Sequence, residues 1–529
     1  MSTLRTTLAR PAVAALAALS GLSAAFTALA VGELTAGLLR PAAAPVTVVG
    51  RAVIDRTPAP VKDFAIRTFG EDDKFVLQLG ILALLVPCAV ALGLLALRSR
   101  PLGAVGVLVF GLVGSAAALS RPDATGAVDA LPSLLGAVAG AGALYVLAGR
   151  AAPPRTASPG EEVPVDGWSR RRFLTAATVV VAAAGGAGLA GRGLSGRRGQ
   201  GAVASRKALV LPPPASPAPP VPEGARLKAA GISPFTTPNR DFYRVDTALS
   251  VPKLDATAWR LRIHGKGVAA PRTYSLAELL VRPLIERDIT LTCVSNEVGG
   301  PYLGTARWLG ADLADLLREC GVRPPSQGGG ADQLVARSVD GMTLGSPVED
   351  VMDGRDAMLA VGMNGEPLPF DHGFPVRMLV PGLYGYVSAC KWIADIELTT
   401  FDAYDPYWVR RAWARRAPVK TQARIDTPRP FARPAAGTVV VAGVAWAQRR
   451  GINRVEVRVD EGPWQDADLA AQHGVDTWRQ WSYPWQAVPG GHTLTVRATD
   501  GTGEVQTEER ARTVPDGASG RHSVFVTVP

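Results

Sequence analysis

The chain has 529 residues, 47% of them hydrophobic, a formal charge of +10 and four cysteines. That length suits two or three domains, and four scattered cysteines without a Cys-x-x-Cys pair exclude a disulfide framework and the usual structural zinc site. The basic residues form no stripe with interleaved aromatics, which argues against a nucleic-acid surface.

Residues 1–195, rich in Ala, Leu, Gly and Val, read as a membrane domain. A spanning helix needs about 20 mainly apolar residues. The stretches 11–39, 75–97, 102–120, 125–149 and 173–191 each supply or approach that, predicting five spans. Cys88 reads as a small apolar residue within the second, and Asp129 as a helix-end residue. Arg5, Arg10, Arg98, Arg100, Arg150, Arg155 and the arginines at 170–172 fall on one side if the N-terminus is cytoplasmic. That predicts a multi-pass cell-membrane protein with everything after residue 195 outside the cytoplasm. No histidine lies in a span, so the spans hold no bis-histidine haem.

At 169–175, "SRRRFLT" resembles the twin-arginine export signal, with Ser169, Arg170, Arg171, Phe173 and Leu174 matching in order. That route carries folded proteins, so the resemblance implies a cofactor-loaded domain downstream. Residues 196–225 contain "PPPASPAPPVPEG" and read as an extended proline-rich linker without a core.

Residues 226–424 read as an α+β body. "AWRLRIHG", "RDITLTC", "FPVRMLVP" and "KWIADIELTT" are predicted strands. "SLAELL" and "GADLADLLREC" are predicted short helices, opened by Ser275 and Gly310. There is no Gly-x-Gly-x-x-Gly after a strand, no phosphate loop and no Gly-x-Ser-x-Gly, so nicotinamide, flavin, nucleotide and serine-hydrolase chemistry lose their usual markers. Residues 425–529 alternate short apolar runs with Gly/Asp turns, the pattern of an all-β sandwich, with His473 and His492 at turns or edges.

"TPNRDFYRVDTAL", "TCVSNEVGG", "GTARWLG" and "VGMNGEPLPFDHGFPVRMLVPGLYGYVSACKW", in that order, resemble the sulfite oxidase-type molybdopterin-binding domain. Within it they are most similar to the membrane-anchored bacterial molybdopterin-dependent oxidoreductases. The resemblance runs from about residue 230 to 424. It implies molybdenum held by molybdopterin, with the Cys293 thiolate as the protein's ligand to the metal, a soft donor that suits it. It also implies that His372, Arg377, Ser388, Lys391 and backbone near Gly385 contact the pterin or its phosphate. Asn239, Phe242 and Tyr243 would line the pterin, and Asp340 would bind its ring; for Asn239 and Asp340 a turn-capping role is an equal alternative. Cys320 reads as core, and Cys390 matches no ligand role.

The sequence departs from the family after the cysteine. True sulfite oxidases continue Ala-Gly-Asn-Arg-Arg; this chain has Val294, Ser295, Asn296, Glu297 and Val298. Asn296 matches, and Glu297 places a carboxylate where an arginine would attract an oxyanion. Oxygen-atom transfer on a neutral sulfoxide-like compound is therefore expected ahead of sulfite dehydrogenation, unless Glu297 faces outward. Tyr384, Tyr386 and Trp413 are candidates for the entrance. No Cys-x-x-Cys-His haem motif exists, so an external electron carrier or a quinone-linked membrane protein is required. The region 425–529 resembles the immunoglobulin-like dimerisation domain of the family, implying a homodimer. The reading from another class, a non-catalytic cell-surface binding or assembly protein on this fold, is disfavoured by Cys293 occurring together with His372, Arg377 and Lys391.

Overall fold

In lipid every backbone N–H and C=O must be satisfied within the segment, so apolar runs of this length become helices. A computed structural model describes residues 2–58, 61, 64, 68–69, 73–151 and 170–529; Arg155 and Ser169 lie outside the described residues. The helices of the first part are α1 (Ser2–Leu38), α2 (Pro45–Arg56), α3 (Asp73–Arg98), α4 (Arg100–Leu119), α5 (Leu131–Ala151) and α6 (Arg170–Ala208). Five helical segments are long and apolar enough to cross a membrane: Ala12–Leu38, Lys74–Arg98, Arg100–Leu119, Ala127–Ala151 and Arg171–Ala208.

The chain divides into two compact units, Met1–Gly201 and Ala202–Pro529. Within the first, glycines set the helix contacts. A Cβ on Gly21 of α1 would overlap the carbonyl of Ala89 in α3, and one on Gly93 of α3 would overlap that of Ala17 in α1. Gly136 of α5 lies equally close to the Ala28 carbonyl. Lipid tails are as apolar as leucine, so spanning helices associate through small residues that admit close backbone packing. Asp129 is fully buried just before α5, as a helix-end residue, and accepts from Arg40 at 3.0 Å and from the Thr125 N–H at 2.6 Å.

The second unit begins with a departure from expectation. Of residues 196–225, which read as a free tether, 196–208 continue α6 and 209–222 are bound along the α+β body. The Ala215 and Ser216 N–H groups donate to the Leu284 carbonyl at 2.8 and 3.1 Å, and Glu286 N–H donates to the Ser216 carbonyl at 2.8 Å. In "PPPASPAPP" those two residues, with Ala218, keep an N–H among prolines that have none, so the run can pair at a sheet edge only there.

The body contains β1 (Arg260–Gly265), β2 (Arg272–Ser275), α7 (Leu276–Leu280), β3 (Leu284–Thr292), β4 (Leu303–Asp312), α8 (Leu313–Glu319), β5 (Gln333–Ser338) and β6 (Thr343–Pro347). It continues with α9 (Val348–Met352), β7 (Met358–Met363), β8 (Glu366–Pro367), β9 (Arg377–Leu379), α10 (Gly385–Ser388) and β10 (Ile393–Thr399). One sheet has the order β2-β1-β10-β5-β6; the other runs β3-β4-β7-β8, with β9 also on β7. Ser275 caps α7 in a reciprocal box with Glu278, as expected. The second predicted helix opens later than Gly310, which lies inside β4; a Cβ there would sit 2.5 Å from the Leu359 carbonyl. Asp312 is the actual cap, accepting from the Asp315 N–H at 2.9 Å.

The C-terminal part, β11 (Gln422–Thr427) to β18 (His522–Val528), forms two four-stranded antiparallel sheets around a shared apolar core. In β18 burial alternates residue by residue, the period-two pattern of a strand with one face inward. Val444, Trp446 and Trp478 of this part belong to the core of the α+β body. The free edge of β3 is occupied from there too: Thr290 N–H donates to the Asp476 carbonyl at 2.8 Å, and Gln448 Nε2 donates to the Thr290 carbonyl at 2.9 Å. His473, expected at a turn or edge, is buried and bonds Asp288 of β3 at 2.8 Å.

Candidate functional site

β3 ends at Thr292, and Cys293 opens a tight turn. Its N–H donates to the Tyr302 carbonyl at 2.9 Å, Asn296 N–H to the Cys293 carbonyl at 3.0 Å, and Gly300 N–H to the Glu297 carbonyl at 2.8 Å. Gly299 adopts φ +80°, a left-handed conformation that favours glycine. The thiol is 8% exposed. Burial pushes its pKa up, opposed by donation from the Ser295 backbone and hydroxyl and by the charge of Lys391.

β9 delivers Arg377 to the same region. It is buried, donates from Nη1 to the His372 carbonyl at 3.2 Å, and lies 5.0 Å from the centre of the Trp308 ring. Its buried Nε has no partner among the described residues. Burial lowers its pKa to about 10, so it stays a cation at neutral pH. Lys391 donates to Asp246 at 2.8 Å and to the Asp371 carbonyl at 3.1 Å. Gly373, at φ +110°, permits this convergence: a Cβ there would come within 3.1 Å of both Arg377 and Lys391.

His372 meets the Asn239 carbonyl through Nε2 at 3.0 Å, and its ring stands edge-on to Phe242. Phe242 stacks on Tyr243 and meets Trp308 edge-on. Burial raises the Tyr243 pKa, with a further rise from Cys293, so its phenol is a donor. A Cβ on Gly385 would lie 3.8 Å from both the Tyr243 hydroxyl and the Thr292 carbonyl, so α10 begins beside the strand end that carries the sulfur.

Cys293, Phe242, Tyr243, His372, Arg377, Gly385 and Lys391 are therefore linked through one region. The other candidates are placed differently. The Asn296 oxygen accepts from the Tyr302 N–H at 2.8 Å and closes the turn. Glu297 is exposed, not buried with the sulfur. Ser388 is fully buried, with its hydroxyl within 3.0 Å of the Leu383 and Tyr384 carbonyls. Asp340 braces its own turn through the Met342 N–H at 3.3 Å. The Asn239 side chain bonds Glu366, at 2.6 Å, and Asn364. Cys320 and Cys390 are both fully buried.

The "Oxidoreductase molybdopterin binding domain" family matches residues 248–408. Mitochondrial sulfite oxidase of Mus musculus is 30% identical over 317 residues, 51% of this chain and 57% of that protein. Sulfite oxidase of Gallus gallus is 31% identical over 324 residues, 52% of this chain and 69% of that protein. The chain belongs to the sulfite oxidase-type molybdopterin oxidoreductase family. It spans 57% of the mouse protein's length. Among solved structures, the sulfane dehydrogenase SoxCD from Paracoccus pantotrophus aligns with a TM-score of 0.49 at 24% identity, over 56% of this chain and 82% of that one.

The family's cofactor is molybdenum bound by molybdopterin, and the donor set fits it. A soft sulfur and an orphaned guanidinium nitrogen are both buried in one neighbourhood, and a planar fork suits an anionic oxygen group. Asn239, Phe242 and Tyr243 lie outside the matched segment and reach the site only through folding. Sequence reasoning missed four residues there. Ser295, beside the cysteine, was readable as a donor. Trp308, the platform for Arg377, lies in the quoted "GTARWLG". Asp246 and Asp371, which hold Lys391, lie in the quoted "TPNRDFYRVDTAL" and in the segment just before His372.

Burial, reinforced by Arg377, lowers the His372 pKa to about 4, and burial with Arg424 does the same for His522. Unfolded histidines titrate near 6.5. The unfolded state then binds more protons between those values, so stability is full above about pH 6.5 and is lost as pH falls toward 4. Cofactor-free protein should lose about 2 kcal/mol per histidine on going from pH 7 to pH 5. Urea unfolding at both pH values checks this; His372→Gln and His522→Asn should each remove one share of the loss.

Proposed function

We propose that this chain is a membrane-anchored molybdenum oxidoreductase that transfers an oxygen atom to or from a small oxo compound. The observation that carries the reading is the buried Cys293 thiol sharing its surroundings with Arg377, whose Nε has no partner among the described residues. In this reading Cys293 is the metal's protein ligand. Arg377 and Lys391 hold the pterin's phosphate, His372 and Tyr243 offer neutral polar groups to the ring system, and the Gly385 backbone approaches closely because no side chain intervenes. Asn239 acts through its carbonyl on His372, and Asn296 through the shape of the turn. Ser388 and Asp340 shape neighbouring segments. When bound, the cofactor supplies two-electron oxygen-atom chemistry and exchanges electrons one at a time; the protein supplies orientation and field.

The absence of the arginine pair after Cys293 favours a neutral, sulfoxide-like substrate. Sulfite dehydrogenation is a second reading, favoured by the exposure of Glu297, which keeps that carboxylate out of the buried surroundings of the sulfur. Turnover of sulfoxides with a reduced dye, against sulfite with an electron acceptor, separates the two; a preference of at least about tenfold in kcat/KM is expected for the physiological class. Near-stoichiometric molybdenum in purified protein is expected. None, after expression in a host that makes the cofactor, would leave the non-catalytic surface-protein reading.

The membrane-anchored bacterial subgroup, the twin-arginine signal at 169–175 and an extracytoplasmic catalytic body belong to the same proposal, supported by five apolar helices and the arginine placement. So do an immunoglobulin-like C-terminal domain that makes a homodimer and an external or quinone-linked electron partner; the limits read from sequence at 195/196 and 424/425 fall inside α6 and β11.

A further inference from the structure

The turn that carries Cys293 is held from outside the α+β body. Arg424 of β11 donates from Nη1 to the Gly300 carbonyl at 2.8 Å, and Asp426, at 2.7 Å, with Ser233, at 2.9 Å, fixes its other nitrogens. His522, the first residue of β18, accepts the Ile425 N–H on Nδ1 at 3.0 Å. That bond requires an unprotonated Nδ1 and sets the ring's orientation. The free side of the ring packs on Gly299, so closely that a Cβ there would overlap Cδ2 and Nε2. Two consecutive glycines of "CVSNEVGG" are thus gripped by one arginine and one histidine of the C-terminal sheets.

We propose that His522 and Arg424 are positioning residues for Cys293, which makes the C-terminal β-region part of the active site's scaffold and not only an interface. The physical reason is a shared short loop. Asn296, Gly299 and Gly300 lie within seven residues of the sulfur, the turn has no strand partner of its own, and Ser295, which donates to the sulfur, is inside it. A metal ligand placed about 1 Å off its position loses catalytic geometry even when the metal still binds. The inference rests on Cys293 being the ligand, so its test includes readouts independent of the metal.

His522→Asn retains an acceptor for the Ile425 N–H and vacates the space over Gly299; His522→Phe keeps a ring and loses the acceptor. In full-length, cofactor-free protein, His522→Asn should raise the rate of Cys293 alkylation, located by mass spectrometry, at least about tenfold, because opening of the turn controls access to a buried thiol. Hydrogen exchange at 295–302 should speed in parallel while exchange from β12 (Gly437–Trp446) to β17 (Gly490–Asp500) stays unchanged. In loaded protein the molybdenum(V) resonance should shift at unchanged metal content. Gly299→Ala should damage the wild type more than it damages His522→Asn, since backbone strain at φ +80° is common to both backgrounds and the ring overlap is not.

Wild-type alkylation and exchange in His522→Asn, or strict additivity with Gly299→Ala, would overturn the inference. If the wild type carries no molybdenum, the proposed function fails, and the clamp is still judged by exchange and alkylation. If His522→Phe unfolds the C-terminal sheets, His522→Asn decides alone.

Discussion

Cys293→Ser is expected to lose at least about a thousandfold in turnover, about 4 kcal/mol of transition-state stabilisation, while keeping its fold and its pterin. The exchange is nearly isosteric, and the hydrogen bonds that shape the turn run through the backbone of residue 293 and through Asn296, so both survive. What the proposed metal site loses is a soft anion: a serine hydroxyl does not ionise near neutral pH and is a poor partner for molybdenum. The pterin should remain, because the groups proposed to hold it come from β9, α10 and the segment before β10. Metal and pterin assays beside steady-state turnover check this. Wild-type turnover in the variant would remove Cys293 from the metal, and loss of the fold would mean the thiol is chiefly a packing group.

Arg377→Met should show opposite signs in two measurements. The guanidinium is buried against Trp308 with one nitrogen unpartnered, and burial already pulls its pKa down to about 10, so the empty protein carries the cost of a desolvated cation. Methionine fills comparable space without charge. Cofactor-free Arg377→Met is therefore expected to be more stable than the wild type by about 1–2 kcal/mol in urea unfolding. Cofactor retention should fall, since each charge-assisted hydrogen bond is worth about 1.5–3 kcal/mol, roughly ten- to a hundredfold in affinity. Arg377→Lys should not rescue it, because an ammonium lacks the planar fork. Full pterin content in Arg377→Met, or a destabilised empty protein, would refute this account.

The family and its cofactor were legible where they depend on residue type in a local pattern. Five apolar runs, the strand just before Cys293 and "HGFPVRMLVPGLYGYVSACKW" state their reading within a few turns of chain, because span length, strand alternation and the wording of a motif are local properties. Glycine shows the limit of that legibility: Gly310 opens nothing in β4, and Gly299 tolerates no side chain because of a histidine near the other end of the chain.

Side-chain direction was decided only by tertiary structure. Whether Glu297 faces solvent, whether Asn296 spends its oxygen on Tyr302, and whether Ser388 bonds the carbonyls just before its helix depend on which backbone groups lie within about 3 Å, which separation in sequence does not encode. The proline-rich tether is bound for the same reason. Its few N–H groups meet the open edge of β3, an edge that exists only after β4 has paired with the other side. Composition and periodicity determined that this chain has a part with five helices apolar enough to cross a membrane, an α+β body and a β-rich end. Packing determined that the body and the β-rich end share one core around Trp446 and Trp478, because buried apolar surface coalesces wherever the folded chain brings it together.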